Sequence, residues 1–416
     1  MIQAGSVVGK RDQPSSGRAW LWVALVLAAV FALWFALRIP FDGSNPDETS
    51  HVDYIRLLVE RRGFVRFVPG DSQLYETHQP PLYYLLCAPL YTAFGGTLLP
   101  LRLVNIILQL LTVAVAWRIG RDLFPSRPEA ASGTALFVAL LPTQAQLAGS
   151  VSNDGLTTLV CALLFWKSAR MLWRGQKRGG ALLMGAILGI GLYTKLSVLQ
   201  VLPLIALCYA LAVRTGKMTA RTALVRFGTV LLVGFVLASP WLIRNTLLYG
   251  DPLTLKIYKL TGPNIPPQTI MAGLRWTFVD YLRTVTVRTF ATFWFILPPN
   301  QLQPPLLPFA GTGLLALVGM VGAFRDEERG GLPRGPERWA LGVSLTAVLL
   351  LVPFFASFVL QTFQAQGRYF LPALVPAALI CVLGWSNVLG EKYRRVAVGV
   401  VAGVLLLLCI MQAASF

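Results

Sequence analysis

Asn45-Pro46-Asp47-Glu48-Thr49-Ser50-His51 follows closely on the first long apolar run of the chain, residues 19–38, and Glu76-Thr77-His78-Gln79-Pro80-Pro81-Leu82-Tyr83-Tyr84 closes the polar stretch it opens. Both histidines and seven of the 18 acidic residues lie between Asp42 and His78. In a chain that is 55% hydrophobic and 13% charged, that concentration marks a polar site at the mouth of a membrane domain. Carboxylates and imidazoles beside a bilayer are costly and are kept for chemistry or ion handling.

A mean hydropathy of +0.63 and repeated apolar runs near twenty residues indicate an all-α polytopic membrane protein. Runs near 19–38, 99–117, 130–149, 155–173, 181–195, 197–213, 227–243, 304–324, 339–360, 370–389 and 396–415 predict about 11 transmembrane helices. Residues 1–18 read as a cytoplasmic tail and 19–416 as one transmembrane domain. Long outer loops are expected at 39–80 and 244–303. The first run has the charge order of a signal peptide, but its length and the lack of a small-residue cleavage site predict a retained anchor. Five scattered cysteines show no metal spacing and read as small core residues.

The net charge of +18 is topological. With the N-terminus inside, 20 of the 36 Lys and Arg fall in cytoplasmic segments, against eight of the 18 acids. This is the positive-inside pattern, and it argues against nucleic acid as a partner.

Within 39–80, Asn45 suits an N-cap and Pro46 the first helical position, with Asp47 and Glu48 at the positive end of the helix dipole. On such a helix Asp47, His51 and Ile55 share one side, with Tyr54 close by. Val52, Ile55, Leu58 and Val59 are expected to lie along the membrane surface. Asp154 follows Asn153 at the outer end of a span, Lys195 separates two apolar runs, and Arg244 and Arg368 stand at outer boundaries. Each has a plainer reading. Asp47 and Glu48 charge a helix start, Asp154 caps one, and Arg244 and Arg368 snorkel to headgroups. Lys195 resists such a reading, because outer-side lysines run against the cytoplasmic bias. The segment from Leu253 to Asn300 interleaves aromatics with cations, as a surface helix near anionic lipid would.

Taken in order, Pro46-Asp47-Glu48-x2-His51-x2-Tyr54-Ile55, His78-Gln79-Pro80-Pro81-Leu82-Tyr83-Tyr84, Ser152-Asn153-Asp154, Thr194-Lys195, Trp241-x2-Arg244-Asn245-x3-Tyr249-Gly250-Asp251 and Gln366-Gly367-Arg368-Tyr369 resemble GT-C membrane glycosyltransferases. Within them the chain looks most like family 39, which includes the protein O-mannosyltransferases and the aminoarabinose transferase. The resemblance implies a GT-C-type bundle with juxtamembrane helices in the first outer loop. It also implies a polyprenyl-phosphate sugar donor and transfer on the outer face to a glycan, lipid or protein hydroxyl.

Carried over, Asp47 is the catalytic base, Glu48 its companion and Asp154 a second functional acid. Lys195, Arg244 and Arg368, with Tyr369, are implied near the donor phosphate. His51, Tyr54, Glu76, His78, Gln79, Tyr83, Asn153 and Asn245 fall at matched or adjoining positions that would bind substrate. A divalent ion, Mg or Mn, is an open possibility, with Asp47, His51 and Asp154 as candidate ligands. A polyprenyl-lipid or ion-coupled transporter, which would use the same charges for carriage, is the rival reading.

Overall fold

The computed structural model describes residues 16–42, 45–260, 265–297, 301–325 and 336–416; nearly all of the expected 1–18 tail lies outside them. The described residues form helices and no strand. In chain order, α1 (Ser16–Arg38) is followed by α2 (Glu48–Glu60), a 3₁₀ turn (Ser72–His78), the short apolar α3 (Leu82–Ala93) and α4 (Leu98–Leu123). Then come α5 (Pro128–Leu140), α6 (Pro142–Ala148), α7 (Asp154–Arg174) and α8 (Gly180–Leu192). A 3₁₀ turn (Leu196–Val201) runs into α9 (Leu202–Arg214), which precedes the long α10 (Ala220–Tyr249). The connecting helices α11 (Leu255–Tyr258), α12 (Pro267–Leu274) and α13 (Phe278–Trp294) lead to α14 (Leu306–Ala323) and α15 (Pro336–Val359). A further 3₁₀ turn (Gly367–Ala373) continues into α16 (Leu374–Leu389), and a short one (Glu391–Tyr393) precedes α17 (Arg394–Ala413).

Nine of these segments, among the described residues, are long and apolar enough to cross a membrane, where the sequence predicts about 11. Two expected spans account for the difference. The run 130–149 breaks at Leu141, extended at ψ 114° ahead of Pro142. A residue before proline is pushed out of the helical region, and proline adds no N–H. The run 181–195 holds a helix of 13 residues, because the chain turns at Tyr193 and is extended at Lys195. Conversely, α10 outruns its expected span and carries Arg244 and Asn245 on its last turns, so the second polar segment begins at Gly250. That segment contains the 17-residue α13.

The first polar segment differs from its sequence reading in two places. Helix α2 starts at Glu48, with Asp47 as its N-cap residue. The Asn45 side chain is engaged elsewhere: its Nδ2 donates to Glu48 Oε2 at 3.1 Å and its Oδ1 accepts from Gln146 Nε2 at 3.1 Å. Ile55 and Leu58 are buried in the protein core, so the apolar side of α2 packs on the bundle and not along a membrane surface.

The helices pack closely where small residues meet. A Cβ on Gly384 of α16 would fall inside the backbone of Gly319 on α14, the small-residue contact that lets membrane helices approach. The ends of α1, α10 and α15 and the starts of α7, the 3₁₀ turn leading into α9 and the 3₁₀ turn leading into α16 gather at one end of the bundle. The basic runs Arg118/Arg121, Arg174/Lys177/Arg178 and Lys392/Arg394/Arg395 fall at the opposite end.

What holds the polar end together is an ion pair inside the protein. Arg102, on the first turns of α4, donates from Nε to Glu48 Oε1 at 2.8 Å and from Nη2 to Glu48 Oε2 at 2.7 Å. Its Nη1 donates to the carbonyls of Ala36 (2.7 Å) and Ile39 (3.0 Å) at the end of α1. Glu48 Oε1 also accepts from the Val151 backbone N–H at 2.8 Å. One buried pair thus ties α1, α2, α4 and the 149–153 turn. Removing one partner of such a pair leaves an uncompensated charge and costs about 3–5 kcal/mol. Arg102→Ala is therefore expected to lower stability by about that amount, read as a large fall in thermal midpoint in detergent, whereas a surface change such as Arg62→Ala leaves the midpoint unchanged.

Candidate active site

Asp47 is the N-cap residue of α2 with φ 60° and ψ 5°, a left-handed conformation that few side chains besides Asn and Asp accept. Glu48, one residue on, is fixed by Arg102, so the backbone at Asp47 is determined from inside the protein. Its side chain, 32% exposed, points to the opposite partner: Arg368 Nη2 donates to Asp47 Oδ2 at 2.5 Å. Arg368 Nη1 lies 3.6 Å from Asp154 Oδ2, and Lys195 Nζ donates to Asp154 Oδ1 at 2.5 Å. Four charges alternate in sign across four elements.

Each is set by its own local structure. Arg368 is the second residue of the 3₁₀ turn ahead of α16. The preceding Gly367 donates its N–H to Thr292 Oγ1 at 2.7 Å, and a Cβ there would fall inside the Phe293 backbone of α13. Asp154 opens α7 directly after the 149–153 turn. Asn105 Nδ2 holds that turn by donating to the carbonyls of Ser150 (2.6 Å) and Ser152 (2.9 Å). Lys195 is extended between α8 and the turn Leu196–Val201.

These charges border a cavity of about 260 Å³. Asp47, His51, Glu76, His78, Lys195 and Arg368 form its polar part; Leu351, Phe354, Phe355 and Phe358 of α15 form an apolar wall. Asp154 is buried behind Lys195. A separate groove of about 380 Å³ beside α17 is lined by no ionisable side chain and shares no lining residue with this cavity.

Burial would raise the Asp47 carboxyl, but Arg368 and the other positive charge around it outweigh that and hold it below the usual aspartate range. His51 is brought down to about 4 by burial, assisted by Lys195 and Arg368, and His78 to about 4 by burial as well. Both imidazoles are neutral at pH 7. Glu76 moves the other way: burial, then the Asp47 charge, push it up to about 8. His51 Nδ1 shares a 2.9 Å hydrogen bond with the Tyr84 hydroxyl, which also lies 3.4 Å from Glu76 Oε2. At neutral pH the polar part of the cavity carries one negative charge, on Asp47, and two positive charges, on Lys195 and Arg368, with the Asp154 carboxylate behind Lys195.

The remaining residues expected at the site divide. Gln79 and Tyr369 line the cavity beside the charges. Glu48 does not: it is spent on Arg102. Tyr54 and Tyr83 are fully buried; the Tyr54 hydroxyl donates to the Gln79 carbonyl at 3.4 Å, and the Tyr83 hydroxyl accepts from the Ser152 N–H at 3.1 Å. Asn153 Nδ2 donates to Gln79 Oε1 at 3.1 Å and orients it. Arg244 is not among the residues that line the cavity. It donates to the Val65 carbonyl at 2.8 Å and lies over Trp241, 4.5 Å from the ring centroid. Buried Asn245 donates to the Pro252 carbonyl at 3.4 Å, and the Tyr249 hydroxyl accepts from the Phe67 N–H at 3.0 Å. The motif from Trp241 to Tyr249 is a clamp on the first polar segment.

Arg102, the α15 aromatics and Tyr75, which also lines the cavity, escaped the sequence reading. For Arg102 a signal existed. Arg102, Asn105, Gln109 and Thr112 recur at spacings of three, four and three in an apolar run, and all four are buried. A polar stripe inside a span faces protein, not lipid.

Of the expected metal ligands, Asp47 is paired with Arg368, Asp154 with Lys195, and His51 is bonded to the Tyr84 hydroxyl. No group of three or more His, Cys, Asp or Glu side chains among the described residues is arranged to hold one. Arg368 and Lys195 already neutralise both carboxylates.

Residues 78–243 match the family model described as dolichyl-phosphate-mannose-protein mannosyltransferase. Two solved structures share the architecture across 96% of this chain and 77% of theirs. ArnT from Cupriavidus metallidurans bound to undecaprenyl phosphate superposes at a TM-score of 0.58 with 14% identity. The apo state of ArnT from Cupriavidus metallidurans gives 0.56 with 15% identity. The fold is of the GT-C type. No curated protein matches the sequence. The family match covers His78, Asp154 and Lys195 but neither Asp47 nor Arg368, whose place in the site rests on geometry.

Glu76 faces Asp47 across the cavity and is neutral at pH 7. Its ionisation near pH 8 adds a negative charge beside Asp47 and Asp154, so activity of this site is expected to fall on the alkaline side with a midpoint at about pH 8. Glu76→Gln should remove that limb and leave the neutral-pH rate close to wild type; an unchanged alkaline limb in the variant would contradict the assignment.

Proposed function

We propose that this chain is an integral-membrane glycosyltransferase. It moves a sugar from a polyprenyl-phosphate donor to an acceptor hydroxyl on the outer face of the membrane, with inversion and with Asp47 as general base. The observation that carries this reading is the alternating row Asp47–Arg368–Asp154–Lys195 beside an apolar wall of α15. Cations at the rim of such a wall suit a phosphate whose hydrocarbon tail lies against helices. The ArnT structure named for its undecaprenyl phosphate and the mannosyltransferase family match support the same donor class. The basic runs at the opposite end of the bundle support an outward-facing site.

The step balances as follows. The acceptor oxygen attacks the anomeric carbon and its proton passes to the Asp47 carboxylate. The bond from the anomeric carbon to the phosphate oxygen breaks, and its electron pair leaves on the phosphate. Arg368 and Lys195 meet that charge. Arg368 has two calls on it, Asp47 in the free protein and phosphate in the complex. As it turns to phosphate, its hold on Asp47 weakens and the carboxylate becomes a better base, so donor binding activates the base. A carrier of lipid or ions would place such groups near the membrane midplane in repeated broken helices; here they sit at one end of the bundle.

The test is transfer of labelled sugar from a polyprenyl-phosphate donor in membranes. Asp47→Asn keeps the side-chain shape and the tolerance for a left-handed backbone. It should lower turnover by about 10²–10⁴-fold with donor binding retained. Equal turnover in wild type and variant would remove Asp47 as base. Tight donor binding without transfer by the wild type, to any hydroxyl acceptor, would favour a carrier. Because Arg368 and Lys195 supply the positive charge, EDTA is expected to leave the rate unchanged; loss of activity restored by Mg or Mn would contradict that charge assignment.

A further inference from the structure

A second cavity, of about 500 Å³, shares Asp47, Tyr75, Arg368 and Tyr369 with the first and is otherwise lined by different residues. The two spaces meet at the proposed base. Their electrostatic character differs. The first has Lys195 and Arg368 among its lining groups. The second has Arg368 as its one lining cation among the described residues, already bonded to Asp47, and it has a second carboxylate in Asp71. Lys259, next to the lining residue Leu260, is exposed and not part of the lining. Segments 43–44 and 261–264, which adjoin lining residues in sequence, contain no ionisable residue. An anion entering here would face two carboxylates and a guanidinium that is in use.

The other polar groups are hydroxyls and amides. Thr49, Ser50 and Ser72 line the cavity, and their hydroxyls make no hydrogen bond among the described residues. Gln364 and Gln366 also line it, and Gln366 Nε2 donates to Gln364 Oε1 at 3.1 Å. A hydroxyl both donates and accepts and an amide oxygen accepts, so this set matches a ligand that presents a series of hydroxyls. Phe67 and the two shared tyrosines add aromatic surface for the C–H faces of a sugar ring.

We propose that the second cavity seats the acceptor and that the acceptor is an uncharged, hydroxyl-rich glycan. This rests on the transferase reading above and narrows it. Asp71 and Asp47 select against phosphorylated lipids by repulsion, and the free hydroxyls of Thr49, Ser50 and Ser72 hold the sugar so that one hydroxyl reaches Asp47. The donor occupies the first cavity, and the two substrates meet at the Asp47–Arg368 pair.

The experiment uses the full chain in membranes with labelled polyprenyl-phosphate sugar and the total envelope extract as acceptor pool. Products are resolved by anion exchange and by protease treatment. The expected result is label in a neutral, protease-resistant glycan fraction. With that fraction isolated as acceptor, Thr49→Val and Ser72→Ala should each raise its half-saturating concentration about three- to tenfold. The half-saturating donor concentration and the thermal midpoint should not change, and Thr49→Ser should restore the wild-type value. Label in a phosphate-bearing lipid, or in a protease-sensitive product, overturns the acceptor assignment and leaves the transferase reading standing. An unchanged acceptor requirement in both variants also overturns it. Failure of the wild type to consume donor overturns the transferase reading itself, and this assignment with it.

Discussion

The Glu48–Arg102 pair is the constraint on which the polar end of this protein depends. Both side chains are nearly sealed from solvent, at 2% and 3% exposure. A buried pair of that kind persists only when its remaining donors and acceptors are also met. Here they are: Arg102 reaches the last carbonyls of α1, and Glu48 takes the Val151 N–H and the Asn45 amide. The consequence for function lies one residue away. Because Glu48 is fixed at the start of α2, Asp47 is left in a left-handed conformation at its tip. Two adjacent carboxylates have opposite duties: one anchors the scaffold, and the other stays at the cavity.

From that anchor the site follows as a matter of charge balance. The same 149–153 turn that gives Val151 to Glu48 leads into Asp154, so both acids of the cluster are referred to one node. Arg368 arrives from the distant end of the chain, held by the packing of Gly367 on α13. It joins the two acids, and Lys195 completes the row. Neutral histidines and a protonated Glu76 keep further charge out of the cavity at pH 7. In the proposed mechanism, one guanidinium couples donor binding to proton acceptance. The two cavities that meet at this guanidinium have unlike linings, cationic and apolar on one side, acidic and hydroxyl-rich on the other.

Much of this was legible in the sequence, for physical reasons. Hydrophobic length marks spans, so α1, α4, α7 and α14 to α17 were visible. Concentrated ionisable residues beside an apolar run marked Asp47, His51, Glu76 and His78. Ordered short motifs placed Asp154, Lys195 and Arg368 with them. What failed was anything decided by partners far away in the chain. Glu48 reads as the twin of Asp47 until Arg102 is seen 54 positions on. Arg244 reads as a phosphate ligand until its guanidinium is found on the Val65 carbonyl. The start of α2 was misplaced because a good capping residue, Asn45, is claimed by Gln146 from α6. The break at Leu141–Pro142 was available from the proline itself, and the buried polar stripe of α4 from its spacing.

The central claim is that the Asp47–Arg368 pair is where donor phosphate, anomeric carbon and acceptor hydroxyl come together. The most direct measurement is an experimental structure of the full chain with a non-cleavable polyprenyl phosphonosugar. The expected result places the phosphonate on Arg368 and Lys195, the tail along Phe354 and Phe358 of α15, and the anomeric carbon facing Asp47 with Arg368 turned from it. A phosphonate bound elsewhere, with the Asp47–Arg368 pair intact, would contradict the account.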